Sequence, residues 1–169
     1  KISLIVILIS MICSSSTAQN TVLSSFLMKW ENSKNYLIEI AEAMPEENFN
    51  YKPTEREMSF KEQLIHIRSN MIWLSETYFT TTDYKKSEKI NPKTKQEVIN
   101  ELTNAFIKVE EIIKKVDEND LTTEVDFFAG PKSKLQILNL LQDHVSHHRG
   151  QLIVYLNLNS IIPPKYTGW

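Results

Sequence analysis

Apolar residues recur at steps of three and four in four stretches of the chain, with polar residues between them, the spacing of one buried helix face. In the first stretch, from about Thr21 to Met44, the stripe holds Val22, Phe26, Trp30, Leu37, Ala41 and Met44. Pro45 ends it, because the residue before a proline is pushed out of the helical region. The second opens at Ser59, with Glu62 in the S-x-x-E capping-box position, and carries Phe60, Leu64, Ile67, Met71, Leu74 and Tyr78. The third opens at Thr94 with Glu97 and carries Val98, Leu102, Ala105, Phe106, Val109, Ile112, Ile113 and Val116 before the stop Asp117-Glu118-Asn119-Asp120. The fourth opens at Ser133 with Gln136 and continues to about Asn159, short of Pro163-Pro164. Four long amphipathic helices in a small chain predict an all-α fold, a four-helix bundle.

The connections qualify that picture. Residues 45–58, 81–93 and 117–132 are longer than the roughly two to eight residues that join antiparallel neighbours in bundles. At least one should therefore cross an end of the bundle, and an up-down-up-down chain of hairpins is not the only order open. The last connection contains the apolar patch Val125-Asp126-Phe127-Phe128, closed by Gly130-Pro131, which could cap the bundle or cover a site.

Residues 1–18, KISLIVILISMICSSSTA, have the layout of a secretory signal: Lys1, an apolar run from Ile2 to Ile12, then small polar residues. Cleavage after Ala18 is expected, leaving residues 19–169 as one periplasmic or secreted domain. The apolar run is shorter than the roughly 20 residues that span a bilayer, so no stable membrane span is expected in the mature chain. The only cysteine, Cys13, would leave with the signal, and with it any disulfide or thiol nucleophile. The formal net charge of −2 offers no basic footprint for nucleic acid.

The chemistry concentrates in DHVSHHRGQ, residues 143–151, which holds three of the four histidines. At about 100° per residue His148 lies about 40° from His144, and Ile137, Gln151 and Tyr155 fall within about 20° of it. Two imidazoles one turn apart therefore sit in the apolar stripe of the fourth helix. They are either satisfied core residues or the paired ligands that i, i+4 histidines give a transition metal. His66 lies at the border of the stripe of the second helix, beside Gln63, Asn70 and Trp73. A bundle that sets this border against the fourth helix would make a three-histidine site with open positions, as in catalytic zinc, nickel or iron centres. Val145 follows His144 where an H-E-x-x-H protease carries glutamate.

The neighbours of these histidines carry less. His147 reads as a flank residue, and Arg149, about 140° from His144, should hold a neighbouring helix or loop. Gly150 suits either close helix packing or ligand access. No general acid or base stands out. Asp143 is about 100° off the histidine face, and Glu62 and Gln63 approach His66 only by helix position. Ile65 and Ile72 face away from the main stripe of their helix, which fits either a homodimer contact or burial by another segment of the same chain.

HVSHHRGQ, His66 in SFKEQLIHI, YKPTEREMSF before it and the tail PPKYTGW together resemble the DinB/YfiT-like metalloenzymes over essentially residues 19–169. That resemblance implies a four-helix bundle in up-down-down-up order, often dimeric, with a divalent metal on His66, His144 and His148 and His147 left outside. Zinc is the first expectation, with nickel or iron as alternatives. Relatives of this kind include bacillithiol-type thiol transferases and mycothiol-dependent maleylpyruvate isomerases, so a metal-dependent transferase acting on a small molecule is implied. An export signal separates the chain from cytosolic thiols and brings metal-assisted hydrolysis forward as a second chemistry. A non-catalytic bundle that binds metal or a small ligand is the alternative from a different class.

Overall fold

A computed structural model describes residues 21–81 and 90–169; the expected signal, residues 1–18, lies outside them. Four helices make up most of the described chain: α1 (Val22–Ala43), α2 (Phe60–Phe79), α3 (Lys95–Ile113) and α4 (Lys134–Leu158). Each begins where its cap stands. Thr21 Oγ1 accepts from Ser24 N at α1. The pairs Ser59/Glu62, Thr94/Glu97 and Ser133/Gln136 all form complete capping boxes, each satisfying two otherwise orphaned amide groups. At its far end α1 stops as expected, with Met44 extended before Pro45. Lys95 Nζ, from the first turn of α3, donates to the free carbonyls of Glu42 and Met44 at 2.6 and 2.8 Å, a cation where the helix dipole favours one.

Helices α1 and α2 each pack against α3 and α4, so α1 is diagonal to α2 and α3 to α4. The cross-helix contacts give the directions. The ion pairs Arg68–Glu101 and Glu76–Lys108 advance together, so α2 and α3 are parallel. Gln63 meets His148 while His66 meets His144, so α2 and α4 are antiparallel. The end of α1 meets the start of α3, and Val22 N at its start donates to Glu118 beyond the end of α3, so that pair is antiparallel too. The order is up-down-down-up.

The core runs the length of the bundle. Trp30, 1% exposed, sits between Phe26 and Phe106 and donates its indole N–H to the Phe106 carbonyl at 3.1 Å. Ile72 is buried in this core beside Arg68 and Glu76, whose ion pairs reach α3, so a segment of the same chain covers it.

The two connections that are wholly described close the bundle ends. Residues 45–58 fold through a 3-10 turn at Glu46–Asn48 and return to α2, where the carbonyls of Tyr51 and Phe49 accept from Phe60 N and Lys61 N. Between α3 and α4, a second 3-10 turn (Glu118–Thr122) leads into a two-residue antiparallel ladder, β1 (Glu124–Val125) on β2 (Lys132–Ser133), which the helical periodicity did not announce. Gly130, at φ +88°, makes the turn between them. The apolar patch caps the bundle: Phe127 is buried against Trp73 and Tyr78, while Phe128 remains 82% exposed beside Trp73.

Two positions, one in α4 and one just beyond its end, are occupied by the residue less suited to them. Gly150 was expected to permit close packing or ligand access, and the packing reading is wrong. It faces outward, and a Cβ built there meets nothing within 4 Å. Ser160 has the opposite difficulty. It adopts φ +60° in a Schellman closure, with Ile161 N donating to the Leu156 carbonyl and Ser160 N to that of Asn157. Gly150→Ala and Ser160→Gly should each stabilise the fold by about 0.5–1 kcal/mol, read from urea midpoints at unchanged m-value. A destabilised Gly150→Ala would show that the helix face there is covered.

Candidate metal centre

His66 is in the second turn of α2; His144 and His148 are one turn apart in the middle of α4. The antiparallel contact of these two helices brings all three together, with one ligand atom from each within 4.8 Å of the others. The closest pair is His66 Nε2 and His144 Nε2, 3.1 Å apart. The three ring centroids are separated by 4.4 to 4.9 Å. Burial is graded across the group, from His148, 7% exposed, through a partly buried His144 to His66 on the solvent side.

Burial is also the main influence on protonation. It lowers the pKa of His144 to about 3, helped by the neighbouring His148, His66 and His147, and that of His148 to about 4, helped by His66 and His147. The pKa of His66 is lowered by burial as well. At neutral pH the group is therefore three neutral imidazoles, each with one unprotonated ring nitrogen.

The lone pair of His148 has a defined direction. Its Nδ1–H donates to Gln63 Oε1 at 2.5 Å, Gln63 Nε2 donates to Tyr155 Oη at 3.4 Å, and Tyr155 Oη donates to the Met58 carbonyl at 2.9 Å. Each donor in this chain has one acceptor, and the chain ends on backbone. It leaves Nε2 of His148 unprotonated, the orientation that a supporting hydrogen bond imposes on a ligating histidine. His144 has no such support, since its Nδ1 is buried without a partner.

The closest pair of this donor set has the spacing that a single ion sets. Two imidazole nitrogens bound at roughly 2.0–2.1 Å to one ion stand about 2.9–3.4 Å apart at bond angles between octahedral and tetrahedral, and the His66–His144 pair stands at 3.1 Å. Three neutral nitrogens suit zinc, nickel or iron better than the oxygen-seeking calcium or magnesium.

The remaining expected residues lie outside the group. His147 is exposed, its Nε2 3.3 Å from Gln151 Nε2. Glu62 is committed to the cap of α2 and to Lys52. Asp143 lines a separate recess between α1 and α4. Arg149 does hold a neighbouring helix: it is 5% exposed, 5.0 Å over the Tyr36 ring, with Nη1 3.4 Å from Ser33 Oγ of α1. The tail folds over the same helix, where Tyr166 meets Tyr36 edge-on and the Trp169 carbonyl accepts from Asn32. Gln63 and Tyr155 were on the histidine faces in the sequence reading but had no role there. Gln63, a glutamine beside His66 at the border of the apolar stripe, was the available signal.

The pKa shifts imply a pH dependence for the metal-free fold. Free histidine titrates near 6.5, so between that pH and the folded values of about 4 and 3 the unfolded chain takes up protons that the fold refuses, and stability falls. Melting temperature in a chelator should be level above pH 6.5 and decline steadily towards pH 4. A His144→Ala/His148→Ala variant should lose most of that slope; an unchanged slope would place its origin elsewhere.

Comparison with known proteins agrees with this architecture. The family model described as "DinB family" matches residues 16–166. The uncharacterized protein YjoA of Bacillus subtilis (strain 168) is 28% identical over 145 residues, covering 81% of this chain and 88% of its own length. The crystal structure of that DinB-like protein superposes with a TM-score of 0.69 at 19% identity, over 85% of this chain and 96% of the other. A DinB-like protein from Bacillus cereus ATCC 10987 gives 0.73 at 18% identity, over 83% and 95%. The two structures speak for the shared fold, while the family match spans nearly the whole described chain, so the protein belongs to the DinB family.

Proposed function

We propose that the protein is a metal-dependent enzyme that holds one divalent ion, zinc in the first instance, on His66, His144 and His148 and acts on a small molecule. The observation that supports this most is the convergence of three neutral imidazoles from two helices, with their ligand atoms within 4.8 Å and no carboxylate among them. Without an ion His66 and His144 can share only one hydrogen bond between their facing nitrogens, 3.1 Å apart, whereas a shared ion gives each lone pair its own partner. When bound, the ion supplies Lewis acidity and lowers the pKa of a water or thiol at its open positions.

The chain's own part is to hold and shield. Gln63 and Tyr155 fix the tautomer of His148, the apolar stripe around His148 keeps water from its buried side, and His66 leaves the other side open to substrate. Thiol transfer and hydrolysis are the two chemistries this accommodates. The absence of a carboxylate from the group also favours a second reading, a bundle that binds metal or a ligand without turnover. Residues 1–18 are read as an export signal that delivers the domain to the periplasm or the exterior.

Metal content of untagged protein is the direct test: about one zinc, nickel or iron per chain is expected, and it should be lost in His148→Ala. Folded, metal-free wild type that takes up no added ion would end this reading. In the cobalt form, a visible spectrum that shifts with azide or a thiol is expected of an enzyme; an indifferent spectrum would favour the binding module. Gln63→Leu should keep the fold and weaken metal affinity about 10- to 100-fold, measured by competition with a chelating dye. Unaltered affinity would show that the Gln63 hydrogen bond does not orient the ligand.

A further inference from the structure

The antiparallel register of α2 and α4 continues past the histidines. Gln63 meets His148 and His66 meets His144, which sets Asn70, one turn further along α2, against the part of α4 just before His144. At about 100° per residue Asn70 lies about 40° from His66 and Gln63 about 60°, both on the side that faces α4. Side chains lean towards the N-terminus of their own helix. In an antiparallel pair these leans are opposed, so Asn70 leans back to the level of His144 and His144 leans towards that of Asn70.

Each of the two holds a buried polar atom without a hydrogen bond, Asn70 Oδ1 and His144 Nδ1. Asn70 as a whole is only partly buried, so the burial of its oxygen means that the carboxamide turns this acceptor into the bundle. His144 Nδ1 is a donor whenever Nε2, which faces His66 at 3.1 Å, keeps its lone pair for an ion. The two atoms are complementary, and both are closed to water. The other buried atoms left unpaired among the described residues lie elsewhere. Arg68 Nε is on the side of α3 and Gln142 Oε1 on that of α1. Thr77 Oγ1 and Gln151 Oε1 are each about two turns further along their helices.

We infer that Asn70 is a positioning residue of the metal centre: by side-chain rotation its Oδ1 accepts the Nδ1–H of His144 and holds Nε2 of that ring free for the ion. Each ligand from α4 then has a carboxamide from α2, Gln63 for His148 and Asn70 for His144, one on either side of His66 in the sequence. The effect on the ion rests on the metal reading above; the hydrogen bond does not.

The test joins zinc affinity, from competition with a chelating dye, to nitrogen-15 NMR of the imidazoles in the full chain, zinc-loaded and chelator-treated. The sequence has four histidines, so single substitutions assign every ring. His144 should carry its proton on Nδ1 and exchange it slowly with water. Asn70→Leu, with Asn70→Ala as a second deletion of the acceptor, should remove that protection, spare the His148 proton and weaken zinc binding about 10- to 100-fold. Asn70→Asp, which keeps the acceptor, should retain both properties; a role in packing alone would not be rescued by a charged residue. Melting of the chelator-treated variants checks their folding. A folded Asn70→Leu or Asn70→Ala chain that keeps the wild-type zinc affinity, or protects the same proton, overturns the inference and leaves the metal reading standing. A wild type that takes up no zinc, yet has a protected His144 proton that Asn70→Leu exposes, supports the hydrogen bond and removes the metal reading. Neither zinc nor a protected proton overturns both.

Discussion

The antiparallel contact between α2 and α4 places imidazoles where a bundle would ordinarily place leucine, and much of the local structure answers that demand. His148 is nearly inaccessible, and a buried donor without an acceptor is costly. The relay through Gln63 and Tyr155 to the Met58 carbonyl meets the cost without introducing charge. A carboxylate in place of Gln63 would have raised the pKa of His148 and invited protonation. The neutral amide leaves the ring neutral and its second nitrogen free.

That relay depends on topology. Met58 belongs to the connection that crosses the top of the bundle between diagonal helices, and the same connection supplies carbonyls to the first turn of α2 and wall residues to an open recess beside α4. A short hairpin between adjacent helices would supply neither. The up-down-down-up order thus gives the histidines a roof as well as a register.

Helix α4 serves two unlike surroundings one residue apart. His148 faces α2 and its neutral partners, while Arg149 faces α1, where its guanidinium lies against the Tyr36 ring and Ser33 Oγ. Burial lowers the pKa of Arg149, opposed by the two nearby tyrosines. Two polar side chains that bind the helix on faces about 100° apart limit its rotation, and the positions of His144 and His148 follow from that limit.

Helix boundaries, the caps at Ser59, Thr94 and Ser133, the fold class and the pairing of His144 with His148 were legible in the sequence, because each depends on residues within one or two turns of one another. Local hydrogen bonds and a 3.6-residue period need no knowledge of the rest of the chain. The approach of His66 to within 3.1 Å of His144, the support of His148 by Gln63 and the outward position of Gly150 were not legible in this way. Each is settled by which helix faces which and in what direction, and the long connections left more than one arrangement open until core packing selected one.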